Sequence, residues 1–175
     1  VVNLLTVSDP TATGQAFCSD ARVRKLTFTG STAVGRKLNA EAALHLKRVS
    51  MELGGHAPAL VFPDADPVHA AKGLSLVKFL NMGQACISPN RIYVHEDHSE
   101  AFLGELTRRV ARLRVGNGME EGIGIGPLIN QAAIDKVDAK VQDAVAQGAQ
   151  VVHGGVRMTE GALASGHFYA PTILS

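Results

Sequence analysis

The chain has 175 residues, 46% hydrophobic and 19% charged, with 18 glycines and no tryptophan; this is an ordinary globular profile with room for one compact domain or pieces of two. A formal net charge of +1 supplies no field that favours nucleic acid or an acidic membrane surface, so both are set aside as partners. No apolar run reaches the ~18–20 residues that a bilayer span needs.

The N-terminus, Val1-Val2-Asn3-Leu4-Leu5, has no basic leader and no long apolar segment, so it is not read as a signal peptide. It reads instead as a strand entered midway. Residues 13–19 suggest a weak helix and 25–29 a strand rich in β-formers. Ser31 is placed to cap a helix running to about His45. Residues 49–53 and 57–62 read as short strands separated by Gly54-Gly55. Asp66-Pro67 opens a helix to about Leu80, with the proline where its missing N–H costs little.

Residues 91–95 alternate as a strand. The stretch 99–113 is an amphipathic helix, with Phe102, Leu106, Val110 and Leu113 at helical spacing and arginines opposite. Residues 116–130 are a glycine-rich loop, and 131–147 a helix stopped by Gly148. A strand at 149–153, a surface excursion at 154–166 and a strand at 168–174 complete the order. Strands alternating with helices indicate an α/β architecture with a largely parallel sheet. No linker composition marks a domain boundary. Gly54-Gly55 allow a sharp turn, and together with the resemblance given below this places a boundary there, with units 1–53 and 54–175. Both ends of the chain read as cut.

Three local patterns carry chemistry. Phe28-Thr29-Gly30-Ser31-Thr32-Ala33-Val34-Gly35 is a strand, a small turn and a helix start. It is not a Walker A loop, because Arg36 and Lys37 stand where that motif needs Lys and then Ser or Thr, and G-x-G-x-x-G is absent. Exposed N–H groups at such a helix start favour a pyrophosphate; the plainer alternative is that Ser31 or Thr32 only caps the helix. Glu52, in Met51-Glu52-Leu53-Gly54-Gly55, ends an apolar strand. It is either a partly desolvated base able to activate water or an ordinary surface carboxylate paired with Arg48 or another cation.

Cys86 follows Glu52 by thirty-four positions, in Asn81-Met82-Gly83-Gln84-Ala85-Cys86. Gly83, Ala85 and Ser88 leave room for an incoming carbonyl, and Pro89 disfavours a long helix here. The alternative is a buried, inert cysteine, which is the reading given to Cys18. Two cysteines make a poor disulfide framework, and a working thiol suits a reducing cytoplasm, the expected location. His95-Glu96-Asp97-His98 reads as a solvated loop, so no metal site is expected. Arg108, Arg109, Arg112 and Arg114 read as a solvated face near a helix C-terminus.

Phe-Thr-Gly-Ser-Thr, Glu-Leu-Gly-Gly and Gly-Gln-x-Cys in this order resemble the aldehyde dehydrogenase superfamily. Asp64-Ala65-Asp66, Arg91-Ile92-Tyr93-Val94, Ile125-Gly126-Pro127-Leu128-Ile129 and Tyr169-Ala170-Pro171-Thr172 extend the likeness nearly end to end. The resemblance implies an aldehyde-dehydrogenase-like α/β fold, with the tail of a Rossmann-type cofactor domain at 1–53 and the first part of the catalytic domain after it. It implies Cys86 as nucleophile and Glu52 as general base. Gly30, Ser31, Val34 and Gly35 would lie against NAD or NADP, with Leu53 near the nicotinamide. The substrate is a small-molecule aldehyde, and the full-length protein a homo-oligomer.

Full-length members extend further on both sides, so the isolated chain is expected to be inactive. Gly116-Asn117-Gly118 and Pro127-Leu128-Ile129-Asn130 are similar to succinate-semialdehyde dehydrogenases. Those enzymes carry an arginine where this chain has Leu80, and many a second cysteine at the place of Ser88, which argues against that substrate. The competing classes are a thiol acyl-transfer enzyme without hydride transfer and a catalytically silent piece.

Overall fold

A computed structural model describes residues 2–175, which form two compact units divided after Gly55. The first holds helix α1 (Pro10–Ser19), strand β1 (Lys25–Gly30), helix α2 (Thr32–Leu44) and strand β2 (Arg48–Leu53). β1 and β2 pair in parallel, with Lys25 opposite Arg48, Thr29 opposite Glu52 and Gly30 opposite Leu53. α2 is the crossover that parallel neighbours require. Its start is set by Ser31, whose Oγ accepts the Val34 amide at 3.3 Å. α1 packs on α2 through Cys18, and the Lys47 ammonium donates to the Asp20 and Val23 carbonyls.

The strand expected at residues 1–5 is not formed. Val1 lies outside the described residues, and 2–7 are irregular and exposed. A strand needs a ladder partner, and among the described residues no strand pairs with Leu4 and Leu5. α1 begins three residues earlier than 13–19 suggests, because Asp9 accepts the Thr11 amide at 2.9 Å and Pro10 occupies the first turn.

The second unit begins at His56. It contains β3 (Ala59–Val61), α3 (Pro67–Phe79), β4 (Ile92–Val94), α4 (Glu96–Val110), α5 (Gln131–Ala146), β5 (Val151–His153) and β6 (Ile173–Leu174). β3 and β4 are parallel, while β5 and β6 are antiparallel. Asp66 caps α3 by accepting the Val68 and His69 amides at 2.8 and 3.0 Å. α3 and α4 pack on each other around Val61, Ala71, Phe102, Leu106, Val110 and Ile173. Each fully buried side chain of this size stabilises by roughly 1.5–3 kcal/mol. Leu128, Ile134, Val141 and Tyr169 form a second cluster under α5.

The single, largely parallel sheet expected from the sequence is replaced, among the described residues, by three two-stranded pairs. The strand at 57–62 shrinks to Ala59–Val61, since Ala57 has φ +38° and Pro58 lacks an N–H for a ladder. The strand at 149–153 starts two residues late, at Val151, although the Gln150 amide donates to the Ser175 carbonyl at 2.8 Å. The strand at 168–174 keeps only its last two positions, and Tyr169 makes a single bridge to Arg157. The excursion at 154–166 is accordingly not all surface, because Gly155 is buried beneath it. α4 starts at Glu96 rather than residue 99: His95 Nδ1 accepts the Asp97 amide at 3.4 Å. The His95–His98 stretch is therefore a helix start and not a loop. No described helix is long and apolar enough to cross a membrane.

Candidate active site

Cys86 occupies the tip of a short turn in the second unit. The chain leaves α3 at Phe79 and reverses through Asn81 (φ +49°), Met82 (φ +57°) and Gly83 (φ +75°). Two successive non-glycine residues in the left-handed region cost ~1–2 kcal/mol each, so the surroundings must hold them. Met82 packs on the Leu128 cluster, and the Asn81 side chain donates to the Gln84 carbonyl at 3.2 Å. The Ser88 amide then donates to the Ala85 carbonyl at 3.1 Å, closing a turn with Cys86 and Ile87 at its centre.

Both arms of this turn are tied down. On the incoming arm, Gln84 Oε1 accepts the Ile129 amide at 3.0 Å, reaching across to the loop before α5. On the outgoing arm, Ser88 is 1% exposed, and its hydroxyl donates to the Lys78 carbonyl at 3.1 Å. The Lys78 ammonium donates to Ser88 Oγ at 3.2 Å and to Asn90 Oδ1 at 2.7 Å. Burial pushes the Lys78 amine below its usual value. Cys86 itself is exposed. Cys18 is 2% exposed, and burial pushes its thiol up, in keeping with an inert core cysteine.

The remaining sequence-predicted residues lie in the first unit. Gly30, Ser31 and Val34 are exposed around the start of α2, whose first three amides have no backbone partner, while the Gly35 amide donates to the Ser31 carbonyl at 2.9 Å. Ser31 takes the amide of Val34, which leaves those of Thr32 and Ala33 for solvent or an anionic ligand. Ser31 is thus the cap that the plainer reading foresaw, and the open amides beside it suit a phosphate. Gly35 is buried, and a Cβ there would stand 2.6 Å from Leu53 Cδ2. Gly30, Gly35 and Leu53 are therefore brought together by β1, α2 and β2. Glu52 is exposed on β2 opposite Thr29 and makes no ion pair among the described residues. The surface pairing with Arg48 is not formed. The partial desolvation expected of Glu52 is not present in this chain either, because nothing buries it.

Sequence reasoning passed over Lys78 and the role of Ser88. The available signal was a lone cation in the apolar run Leu76-Val77-Lys78-Phe79-Leu80, ten positions before a buried serine. Among the described residues no group of three or more His, Cys, Asp or Glu side chains could hold a metal ion.

The family model described as the aldehyde dehydrogenase family matches residues 1–175. The chain belongs to the aldehyde dehydrogenase family. It is 41% identical over its whole length to succinate-semialdehyde dehydrogenase [NADP(+)] 2 of Schizosaccharomyces pombe, of which it covers 35%. It is 48% identical over 161 residues to glutarate-semialdehyde dehydrogenase of Pseudomonas aeruginosa, matching 92% of this chain and 32% of that enzyme. The crystal structure of succinate-semialdehyde dehydrogenase from Burkholderia pseudomallei superposes with a TM-score of 0.91 at 45% identity, covering 97% of this chain and 34% of that one. The fold is thus the mixed α/β one of aldehyde dehydrogenases. The chain spans about a third of the length of the relatives it matches.

Proposed function

We propose that this chain carries the nucleophile and the base of an NAD(P)-dependent oxidation of an aldehyde to a carboxylic acid, performed by a longer protein that contains it. The observation that carries the reading is the placement of Cys86: an exposed thiol at the tip of a turn fixed on both arms. An inert cysteine needs no such presentation. Relatives named as NADP(+)-dependent semialdehyde dehydrogenases, and a structural neighbour crystallised with NAD+, support the cofactor class.

In this reading residues 1–53 belong to the cofactor domain and 54–175 to the catalytic domain. The amides of Thr32 and Ala33, with Gly30 and Ser31, would face the pyrophosphate, Val34 would offer an apolar surface and Leu53 would stand near the nicotinamide. The cofactor, when bound, supplies a hydride acceptor. Cys86 Sγ attacks the aldehyde carbon, and the carbonyl electron pair moves to oxygen, where the Cys86 amide hydrogen-bonds the developing charge. Loss of hydride from that carbon leaves a thioester on Cys86. Glu52 then takes a proton from water, the hydroxide adds to the thioester, and Cys86 departs as thiolate with release of the acid. A reducing cytoplasm keeps Cys86 available, and the full-length protein is a homo-oligomer.

The substrate is a small-molecule aldehyde, and Leu80 weakens the case for succinate semialdehyde. Leu80, half exposed six residues before Cys86, gives no cation where similar succinate-semialdehyde dehydrogenases have an arginine. The test is intact-protein mass spectrometry of the full-length protein with aldehyde and NAD(P)+. The Glu52→Gln variant accumulates an acyl adduct that maps to Cys86, and Cys86→Ser forms none. An adduct on any other residue overturns the assignment.

A further inference from the structure

The Lys78 side chain has no carboxylate partner among the described residues. Its ammonium is met by two neutral oxygens, Ser88 Oγ at 3.2 Å and Asn90 Oδ1 at 2.7 Å. Both acceptors belong to the segment that runs from Cys86 into β4. Burial without a counter-charge disfavours the ionised amine, as its lowered pKa reflects, so something must be gained from keeping a lysine there.

The chain is shaped around this contact. Ser88 is almost fully buried, and its hydroxyl is used in both directions, donating to the Lys78 carbonyl and accepting from the Lys78 amine. Gly83 passes over the pair with φ +75°; a Cβ there would lie 3.3 Å from the Lys78 carbonyl oxygen, 3.7 Å from Ser88 Oγ and 3.8 Å from Lys78 Nζ. One residue of α3 thereby grips the outgoing end of the excursion that carries Cys86 at two residues, Ser88 and Asn90. Its carbonyl and its amine both hold the exit, one residue before the helix ends.

We infer that Lys78 is a positioning residue for Cys86: its ammonium, through Ser88 and Asn90, locks the outgoing arm of the turn that presents the thiol. The inference rests on the reading of Cys86 as nucleophile only for its catalytic consequence. A thiol held at one place relative to a bound carbonyl reacts faster than one that wanders, because small misplacements cost large factors in rate. Lys78 acts on the reaction through Ser88 and Asn90.

The test uses two readouts, one of which involves no chemistry at Cys86. In the 175-residue chain, amide hydrogen exchange at Ser88 reports the Ser88–Ala85 bond that closes the turn. Lys78→Met is expected to speed that exchange about tenfold, the effect of removing a charge-assisted hydrogen bond at a partly exposed site. Lys78→Arg is expected to restore it, since a guanidinium still donates to both oxygens. In the full-length protein, Lys78→Met is expected to lower kcat about tenfold with KM nearly unchanged, and Lys78→Arg to recover kcat.

Wild-type exchange at Ser88 in Lys78→Met overturns the inference, as does a Lys78→Arg variant as loose as Lys78→Met while melting like the wild type. Should Lys78→Met fail to fold, Asn90→Leu decides, because it keeps the amine, removes its 2.7 Å acceptor and leaves the Ser88 hydroxyl's bond to the Lys78 carbonyl in place: faster exchange at Ser88 supports the inference, and wild-type exchange defeats it. If Cys86 is not the nucleophile, Cys86→Ser keeps its activity while the exchange at Ser88 still follows Lys78, so the two failures are told apart.

Discussion

Cys18 and Cys86 are set apart by their surroundings. Cys18 is 2% exposed on α1, with its Sγ 3.7 Å from the Leu38 carbonyl, while Cys86 is exposed between Ala85 and Ile87. Burial opposes ionisation of Cys18, and the thiolate is the reacting species. Iodoacetamide is therefore expected to label Cys86 in the native chain and to reach Cys18 only after denaturation, read by peptide mapping. Equal labelling of the two under native conditions would contradict this placement. The sequence marked Cys86 through its small neighbours, but it did not show what fixes them. That knowledge needs Ile129 and Lys78, forty-three residues after and eight before Cys86, contacts that no local spacing encodes. Leu80 belongs to the same scale. In the full-length protein Leu80→Arg should raise kcat/KM for succinate semialdehyde by about tenfold or more relative to an uncharged aldehyde, since a charged hydrogen bond is worth ~1.5–3 kcal/mol. An unchanged ratio would remove Leu80 from the specificity argument.

At the scale of elements, cap residues told more than hydrophobic pattern. Ser31 and Asp66 announce α2 and α3 because their side chains accept the very amides that a helix start leaves open. Where the cap was of a less expected kind, as with His95 before α4, the start was misplaced by three residues. Strands were harder to read, because pairing depends on partners far along the chain. Tyr169-Ala170-Pro171-Thr172 has strand-like composition yet spends its polar groups elsewhere: Tyr169 donates to Asp138 at 3.1 Å and Thr172 Oγ1 accepts the Gly155 amide at 2.9 Å. Gly154, with φ +71°, lies so close to the Pro171 carbonyl that a Cβ would overlap it. Gly154→Ala is expected to destabilise the second unit by about 2–4 kcal/mol, read by thermal or urea unfolding.

On α4 the Arg108 guanidinium, bonded to Glu105 at 2.6 and 2.7 Å, holds that carboxyl down to about 2, with Arg109 contributing. These arginines are clamped rather than freely solvated. A depressed carboxylate stabilises above its unfolded value and loses that stabilisation as pH falls through its folded one. Glu105→Gln should accordingly flatten the stability profile between pH 4.5 and about 2. An acid limb as steep as that of the wild type would contradict the pairing.

At the scale of the molecule, the α/β class followed from alternating helices and strands, and the family from motifs that run through both units. What alternation could not give was the number of strands in each sheet. Among the described residues β1–β2 and β3–β4 each remain a two-stranded parallel pair. A chain that spans about a third of its relatives' length is expected to show no NAD(P)-dependent aldehyde oxidation when purified alone; robust turnover would contradict that expectation.

The most direct test of the catalytic assignment is rapid-mixing kinetics on a full-length protein carrying this sequence, following NAD(P)H absorbance after addition of aldehyde. If Cys86 forms the thioester and Glu52 releases it, Glu52→Gln gives a burst of about one NAD(P)H per active site and then almost no further turnover, and Cys86→Ser gives no burst. Sustained wild-type turnover by Glu52→Gln, or a burst from Cys86→Ser, would contradict the assignment.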